Sequence, residues 1–373
     1  MNQQAMYDLT LNQTVHLIKT IGNKHTVLVK GHMGIGKSTM LKILGAMLPT
    51  HKQVYFDCTT KDLMDLGVPK VVTHENGNEY VTFPTNEELG LHLDGPIILM
   101  FDEWGKATPG VKLGTLRVML ERVLGSRRLH PDSIVFATTN MEGEGVGDML
   151  PAHARNRLTV VRMRKPTVEE WIEDFALNAG IHETMLAWAL EHPYILQSFE
   201  DVTNPNPDAD VKDGGNPHIH HPKAVGRGAV VTPRSMEAAS DYMHLMSSMD
   251  ETTFQAALVG TIGMRSAADL SAYIKISSEM PSLQDIKENP KTAKVPASPS
   301  AVVMVVMRTL NNLERGWMNA WMDYHERLDA EAQALFSLAV RSEKYKHREM
   351  VMTNARYTQW CLANQHIYSA DKK

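Results

Sequence analysis

Cysteine and long apolar stretches are scarce in this 373-residue sequence. Its two cysteines, Cys58 and Cys361, are too few for a disulfide framework or a four-cysteine zinc site, so we interpret them as reduced thiols. The longest apolar runs, GPIILMF and AVVMVVM, are far too short to cross a bilayer. The stretch MNQQAMYDLTLNQTVHLIKT lacks the basic start and apolar centre of a signal peptide. We therefore expect a cytoplasmic protein with no membrane partner.

A large excess of charge is also missing. The formal net charge is −5, which argues against a protein that coats nucleic acid non-specifically but is compatible with a local basic channel. Hydrophobic residues make up 43% of the chain, enough to bury a large core. The length predicts about two domains, or one large domain with an appendage.

Predicted strands and helices alternate over residues 1–165. The stretches HTVLVKG, GPIILMFDE and DSIVFATTN predict buried strands, and KQVYFDC and LTVVRMR predict two more. Helical patterns cover residues 5–21, KSTMLKILGAML and KLGTLRVMLERVLG, while KVVTHENGNEYVTF predicts a β-hairpin. This alternation predicts an α/β fold, with a parallel sheet and helices on both faces.

The pattern changes after Pro166. Residues 166–280 predict a helical region with a long polar loop at 201–231, followed by a linker at 281–299 and a helical tail at 300–373. In the tail, Trp317, Trp321, Tyr324 and Leu328 recur at helical spacing. Such an apolar stripe predicts core packing or a subunit contact rather than a ligand site.

The polar loop contains potential metal ligands. They are His218, His220, His221, Asp208, Asp210 and Asp213. A metal site needs rigid elements that fix the coordination geometry, and this stretch predicts none. We therefore favour a flexible polar loop over a metal site.

The stretch GHMGIGKST is predicted to lie between a buried strand and a helix. It has the pattern Gly31-x-x-x-x-Gly36-Lys37-Ser38, in which backbone N–H groups and a helix N-terminus surround phosphate oxygens. Lys37 is expected to contact the β- and γ-phosphates, and Ser38 to ligate Mg²⁺. The predicted cradle for ATP or ADP consists of Gly31, His32, Met33, Gly34, Ile35, Gly36, Lys37, Ser38 and Thr39. The alternative is a plain strand-to-helix turn.

Polar residues follow two further predicted strands. Asp102 ends IILMFD and is expected to bind Mg²⁺ with Ser38 and to contribute to the cofactor site, while Glu103 is expected to act as general base towards water. Asn140 ends FATTN and is expected to orient that water against the γ-phosphate. Alternatively, Glu103 is a solvated acid at a strand exit and Asn140 a turn residue.

Four stretches resemble AAA+ ATPases, most closely the MoxR-like branch. They are DLMDLGVP, FDEWGKATPGVKLGTLRVMLE, FATTNMEGEGVGDMLPAHARNRL and TPRSME, within a similarity that covers about residues 10–250. The resemblance implies a P-loop core at 1–165 and a small helical lid at 166–280. It also implies that the predicted hairpin is an insert that points into a ring's pore, although an ordinary surface hairpin is the alternative.

The resemblance also assigns three arginines. It places an arginine finger at Arg157, which reaches the γ-phosphate of a neighbouring subunit, although Asn156 and Leu158 depart from the family's usual acid and Phe. Arg155 is close enough to be the finger instead. Arg234 takes the place of the second sensor, at a helix N-terminus that disfavours a cation unless an anion faces it.

The resemblance implies a hexameric, Mg²⁺-dependent ATPase. Members of this branch remodel or mature a protein partner as chaperones, often together with a von Willebrand factor A-domain protein. The alternatives are a motor or loader that acts on nucleic acid and an ATP-gated scaffold. The acidic net charge and the lack of a helix-turn-helix or zinc module disfavour the nucleic-acid alternative.

Overall fold

The computed structural model describes residues 7–84, 86–141, 156–224 and 228–368. The chain divides into two compact units, Met1–Lys165 and Pro166–Lys373. Within the described ranges, no helix has both the length and the apolar character that a membrane crossing requires.

A five-stranded parallel sheet forms the centre of the first unit. Its strands are β1 (Val27–Gly31), β2 (Lys52–Asp57), β5 (Ile97–Asp102), β8 (Ile134–Thr139) and β9 (Thr159–Met163). They lie in the order β2-β5-β8-β1-β9, and every neighbouring pair is parallel. The described residues also form two antiparallel hairpins: β3 (Lys70–Thr73) with β4 (Glu79–Thr82), and β6 (Val123–Leu124) with β7 (Arg127–Arg128).

Helices cover both faces of this sheet. The first unit contains α1 (Leu11–Ile21), α2 (Thr39–Met47), α3 (Leu63–Leu66) and α4 (Pro109–Glu121). Side chains alternate along β5, so that Ile98 and Met100 pack with α1 and α2, whereas Leu99 and Phe101 pack with α4. The predicted α/β class, with a parallel sheet covered on both faces, is confirmed.

Two predicted helix bounds in this unit are wrong. The helix predicted at 5–21 begins at Leu11, because Leu9 pairs with β9 and Thr10 caps the helix. The helix predicted to reach Gly125 ends at Glu121, because Arg122 takes a left-handed φ of 59° and the chain turns into the β6–β7 hairpin. The Arg122 guanidinium holds this corner by donating to Gly22 O at 2.9 Å and to Met119 O.

The second unit is helical in its described part. Its helices are α5 (Val168–Trp171), α6 (Leu177–Ala179), α7 (Glu183–Glu191), α8 (Pro233–His244), α9 (Glu251–Ile262), α10 (Met264–Ile276), α11 (Leu283–Glu288), α12 (Pro299–Asn312), α13 (Met318–His325), α14 (Ala330–Arg341), α15 (Arg348–Met352), α16 (Ala355–Ala363) and α17 (Gln365–Tyr368). One hydrophobic core joins residues from the expected lid and tail, including Trp171, Trp188 and Trp321. The stretch expected as a linker contains α11, whose Ile286 is buried in that core.

The predicted polar loop at 201–231 packs against this unit where it is described. His218 is 6% exposed, its Nδ1 lies 2.9 Å from Ser266 Oγ, and Ile219 beside it is fully buried. Asn216 donates to Tyr194 O at 2.8 Å. Our expectation of a flexible loop is therefore wrong for these packed residues. Across the described residues, no group of three His, Cys, Asp or Glu side chains could hold a metal ion.

Candidate active site

The carboxyl ends of three neighbouring strands carry the predicted site residues of the first unit. β1 ends at Gly31 and continues into the glycine-rich stretch of residues 31–38, called the glycine loop below. β5 ends at Asp102, and Asn140 follows β8. Because the strands are parallel and β8 lies between β5 and β1, all three ends share one edge of the sheet. The strand order, not proximity in sequence, brings these residues together.

The glycines of residues 31–38 are required by the backbone that surrounds them. Gly34 and Gly36 have φ values of 70° and 94°, which only glycine adopts readily. At Gly31 a Cβ would lie 2.9 Å from Ile35 Cδ1 and 3.1 Å from Met163 O, so no larger residue fits there without a shift. A compact loop of this kind, followed directly by α2, has the form of a phosphate cradle.

Lys37 is buried, with only 6% of its surface exposed. Its Nζ donates to Gly31 O at 2.8 Å, to His32 O at 2.7 Å and to Asn140 Oδ1 at 2.7 Å. An ammonium group has three hydrogens, and these acceptors replace the water that burial removes. The structure thus brings together Lys37 and Asn140, two residues that the sequence placed in one site.

The side chain of Ser38 bonds to Asp102 instead of capping the helix that follows it. It occupies the N-cap of α2, where a serine side chain ordinarily accepts a hydrogen bond from the helix, yet it makes no such bond. Instead Ser38 Oγ donates to Asp102 Oδ2 at 3.2 Å. The two predicted Mg²⁺ ligands are therefore adjacent, and a hydroxyl with a carboxylate is a donor set that suits this ion.

Asp102 is held by four hydrogen bonds. Its Oδ2 accepts from Ser38 Oγ and from Tyr55 OH at 2.9 Å, and its Oδ1 accepts from Glu103 N at 3.1 Å and from Thr138 Oγ1. A carboxylate has about four lone-pair sites, so these donors fix its orientation. Burial, followed by the hydrogen bond to Asp102, raises the pKa of Tyr55 well above its usual value, so its hydroxyl keeps the proton that it donates.

Glu103 has an unusual backbone conformation. With φ 51° and ψ 32° it is left-handed, a region that residues other than glycine rarely occupy. Its amide donates both to Asp102 Oδ1 and to Thr138 Oγ1, the latter at 3.2 Å. Its carboxylate Oε2 lies 3.0 Å from Lys106 Nζ. The predicted general base is thus held at both its backbone and its side chain.

Of the three predicted arginines, Arg157 is the one that lies in the described part of the first unit. Arg157 is exposed, just before β9, and has no hydrogen bond or ion pair within the described ranges. Arg155 lies outside the described residues. Arg234 is exposed in the first turn of α8, in the second unit, where Thr232 caps the helix. The predicted helix N-terminus at Arg234 is confirmed, and its role stays a prediction.

Three site residues were missed in the sequence. Tyr55 and Thr138 bond to Asp102 from strands on either side of β5, and Lys106 pairs with Glu103 one turn later. Their only local signal is proximity to strand ends, which many unrelated residues share. Strand order would have identified Tyr55 and Thr138, whereas Lys106 depends on the turn that follows β5.

No protein-family model matches the chain, and no curated protein matches it significantly. Among solved structures, it is similar to the Thermotoga maritima RuvB Holliday junction branch migration motor, with 12% identity over 74% of this chain and 72% of that one and a TM-score of 0.33. It is also similar to Brucella abortus NtrX in complex with ADP, with 14% identity over 87% of this chain and 64% of that one and a TM-score of 0.36. At these scores the likenesses carry no conclusion about function.

Proposed function

We propose that this chain is a ring-forming ATPase of the AAA+ class, most similar to the MoxR-like branch. The observation that carries the proposal is a single edge of the sheet at which Lys37 contacts Asn140, and Ser38 contacts Asp102, beside Glu103. A plain strand-to-helix turn does not require a buried lysine, nor a serine at the N-cap position whose side chain bonds to a distant carboxylate instead of to the helix.

The residues of the site take complementary roles. The amides of residues 31–39 and the Lys37 ammonium would bind the phosphates of ATP or ADP, while Ser38 and Asp102 would hold Mg²⁺. When bound, the ion would neutralise charge on the phosphate oxygens. Glu103 accepts a proton from the water that attacks the γ-phosphorus, and Asn140 orients that water. The bond between γ-phosphorus and the bridging oxygen breaks, so that ATP and water give ADP and phosphate.

The site is completed by a second subunit in this proposal. Arg157 is exposed and free of partners in the described ranges, as an arginine that serves a neighbouring subunit needs to be. We assign Arg157 as the arginine finger of a homo-oligomeric ring, with Arg155 as the alternative. The resemblance to MoxR-like ATPases implies that the ring is a hexamer. Arg234 takes the second-sensor role by the same resemblance.

The energy of hydrolysis is used to remodel or mature a protein partner. This chaperone role, and the possible von Willebrand factor A-domain partner, rest on the MoxR-like resemblance. The β3–β4 hairpin is the element that we assign to contact with such a partner, because Val71, Tyr80 and Val81 leave 60%, 47% and 59% of their surfaces exposed. A remodelling ATPase should be stimulated by protein, whereas a nucleic-acid motor should be stimulated by DNA or RNA.

Nucleotide binding and phosphate release by the purified chain test the proposal. Lys37→Ala should abolish both, because the phosphates lose the loop's cation, whereas Lys42→Ala on the exposed side of α2 should change neither. Calorimetric titration with ADP and ATP, with and without Mg²⁺, together with a phosphate-release assay, measures the two properties. If the wild-type chain neither binds nor hydrolyses either nucleotide at millimolar concentration, the proposal is wrong.

A further inference from the structure

We propose that Thr138 is a positioning residue that couples the metal-site carboxylate of Asp102 to the general base Glu103. The inference rests on the proposed function, which assigns those two roles. Thr138 lies on β8 and is fully buried. Its single hydroxyl donates to Asp102 Oδ1 and accepts from Glu103 N at 3.2 Å. One side chain on the neighbouring strand therefore touches both acids at the end of β5.

Glu103 needs such support because its backbone is strained. A left-handed conformation is unfavourable for a residue other than glycine, and it persists only where surrounding contacts enforce it. The contacts here are the two acceptors of Glu103 N, the bond from Lys106 N to Glu103 O at 2.9 Å, and the ion pair of Lys106 with the carboxylate. Thr138 supplies the only one of them that comes from another strand in the described structure.

The position of Thr138 separates this role from nucleotide binding. Ser38 and Tyr55 reach only Oδ2 of Asp102, and Asn140 contacts Lys37. Thr138 bonds to Oδ1, the carboxylate oxygen that also accepts a hydrogen bond from the backbone amide of Glu103. Loss of its hydroxyl should therefore disturb the direction of the Glu103 carboxylate while the glycine loop and Lys37 remain in place.

The expected effect is on turnover rather than on binding. Thr138→Val keeps the shape of the side chain but removes the hydroxyl, and it should lower kcat roughly 10- to 100-fold, the usual cost of losing a supporting residue. The KM for ATP at saturating Mg²⁺ should change by less than about threefold. Thr138→Ser restores the hydroxyl and should recover kcat to within about threefold of wild type. Thr309→Val, which removes a buried hydroxyl without a hydrogen-bond partner in the second unit, should leave kcat unchanged.

A double-mutant cycle with Glu103→Gln tests the coupling itself. Residues that act as a unit have non-additive effects, so Thr138→Val should change the residual rate of Glu103→Gln by less than about twofold. The rates are measured as single-turnover phosphate release at saturating Mg²⁺, with ADP-binding stoichiometry to correct for the active fraction. Equal fold losses in both backgrounds would show that Thr138 acts through stability or through Asp102 alone, and would overturn the inference.

Failure of the inference is distinguishable from failure of the proposed function. If the wild type hydrolyses ATP and Glu103→Gln slows it, but Thr138→Val is as fast as wild type, only the inference is wrong. If Thr138→Val and Thr138→Ser are slowed alike while both bind ADP fully, the hydroxyl is not the cause and the inference is also wrong. A wild type without turnover, or a Glu103→Gln variant with full turnover, contradicts both.

Discussion

At the scale of single residues, the site is organised by side chains whose hydrogen bonds replace more ordinary ones. Ser38 forgoes its helix cap for Asp102, and Glu103 accepts a left-handed backbone that brings its amide to Asp102 and Thr138. Each departure has a local cost, and each brings a polar group to the same edge of the sheet. Such unfavourable local conformations are expected at functional sites, where the position of a reactive group matters more than the conformational preference of the residue.

His325, in the second unit, should make the stability of the folded chain depend on pH. It is fully buried among the rings of Trp321, Phe336 and Trp360, at centroid distances of 5.8, 5.2 and 4.9 Å. Burial lowers its pKa to about 4 from an ordinary value of 6.5, so the folded chain keeps it neutral where the unfolded chain binds a proton. The stability that depends on this group is therefore complete above pH 6.5 and is lost progressively as the pH falls towards 4.

The free energy of unfolding of the second unit should show this loss. His325 accounts for up to about 3 kcal/mol between those two pH values, and His325→Phe should flatten the curve by that amount. Urea titration followed by tryptophan fluorescence at several pH values measures the difference. His16→Gln, at an exposed position in the first unit, serves as the control. Parallel curves for wild type and His325→Phe would contradict the lowered pKa of His325 in the folded chain.

At the scale of elements, the β3–β4 hairpin stands apart from the sheet. Its strands pair only with each other in the described structure, and Val71, Tyr80 and Val81 are exposed. A two-stranded hairpin has marginal stability alone, and this one contributes no strand to the sheet that carries the site. It therefore has the properties of an attached element rather than of a core element.

Replacing residues 70–82 with a short Gly-Ser linker should therefore leave the first unit folded. We expect the free energy of unfolding to fall by less than about 1 kcal/mol and the Kd for ADP to stay within about twofold. Leu66→Ala, which truncates a side chain only 4% exposed in the core beside α4, should cost about 2–5 kcal/mol. Chemical denaturation and calorimetric titration measure both quantities. Loss of ADP binding by the folded linker variant would show that the hairpin shapes the site.

The elements of the sheet could largely be predicted, because continuous apolar runs such as IILMF identify buried strands without further information. The β6–β7 hairpin was missed because its two-residue strands are too short to show a period. Lys37, Ser38, Asp102, Glu103 and Asn140 could be placed at one site because each follows a predicted parallel strand or the loop after one. Tyr55 and Thr138 could not, because their contacts depend on strand order and register, which local patterns do not carry. Lys106 could not, because its ion pair with Glu103 depends on the left-handed turn that the chain makes after β5.

At the scale of the whole molecule, the proposed ring predicts complementation between two inactive variants. Lys37→Ala retains a finger but lacks a working site, and Arg157→Ala retains a site but receives no finger. Each alone should lose most ATPase activity, since an arginine finger is worth on the order of 10³- to 10⁵-fold. A mixture creates interfaces with a complete cradle on one side and an intact arginine on the other. Phosphate release should therefore return, with a maximum at intermediate ratios.

Mixed assemblies must be confirmed before an inactive mixture is interpreted. Native mass spectrometry of the two variants, distinguished by isotope labelling, shows whether subunits exchange. Confirmed mixed assemblies without activity would contradict the assignment of Arg157. Rescue by Arg155→Ala in the same experiment would assign the finger to Arg155 instead.

The central claim, that this chain hydrolyses ATP at the edge of its sheet with Glu103 as general base, is tested most directly by the nucleotide that each variant retains. Wild type and Glu103→Gln are incubated with stoichiometric ATP and Mg²⁺, and bound nucleotide is quantified by chromatography over time. Wild type should hold ADP, whereas Glu103→Gln should hold ATP, with hydrolysis slowed by something like 10²- to 10⁴-fold. Glu121→Gln, at an exposed position on α4, should behave as wild type. Equal conversion of ATP to ADP by Glu103→Gln and wild type would contradict the account.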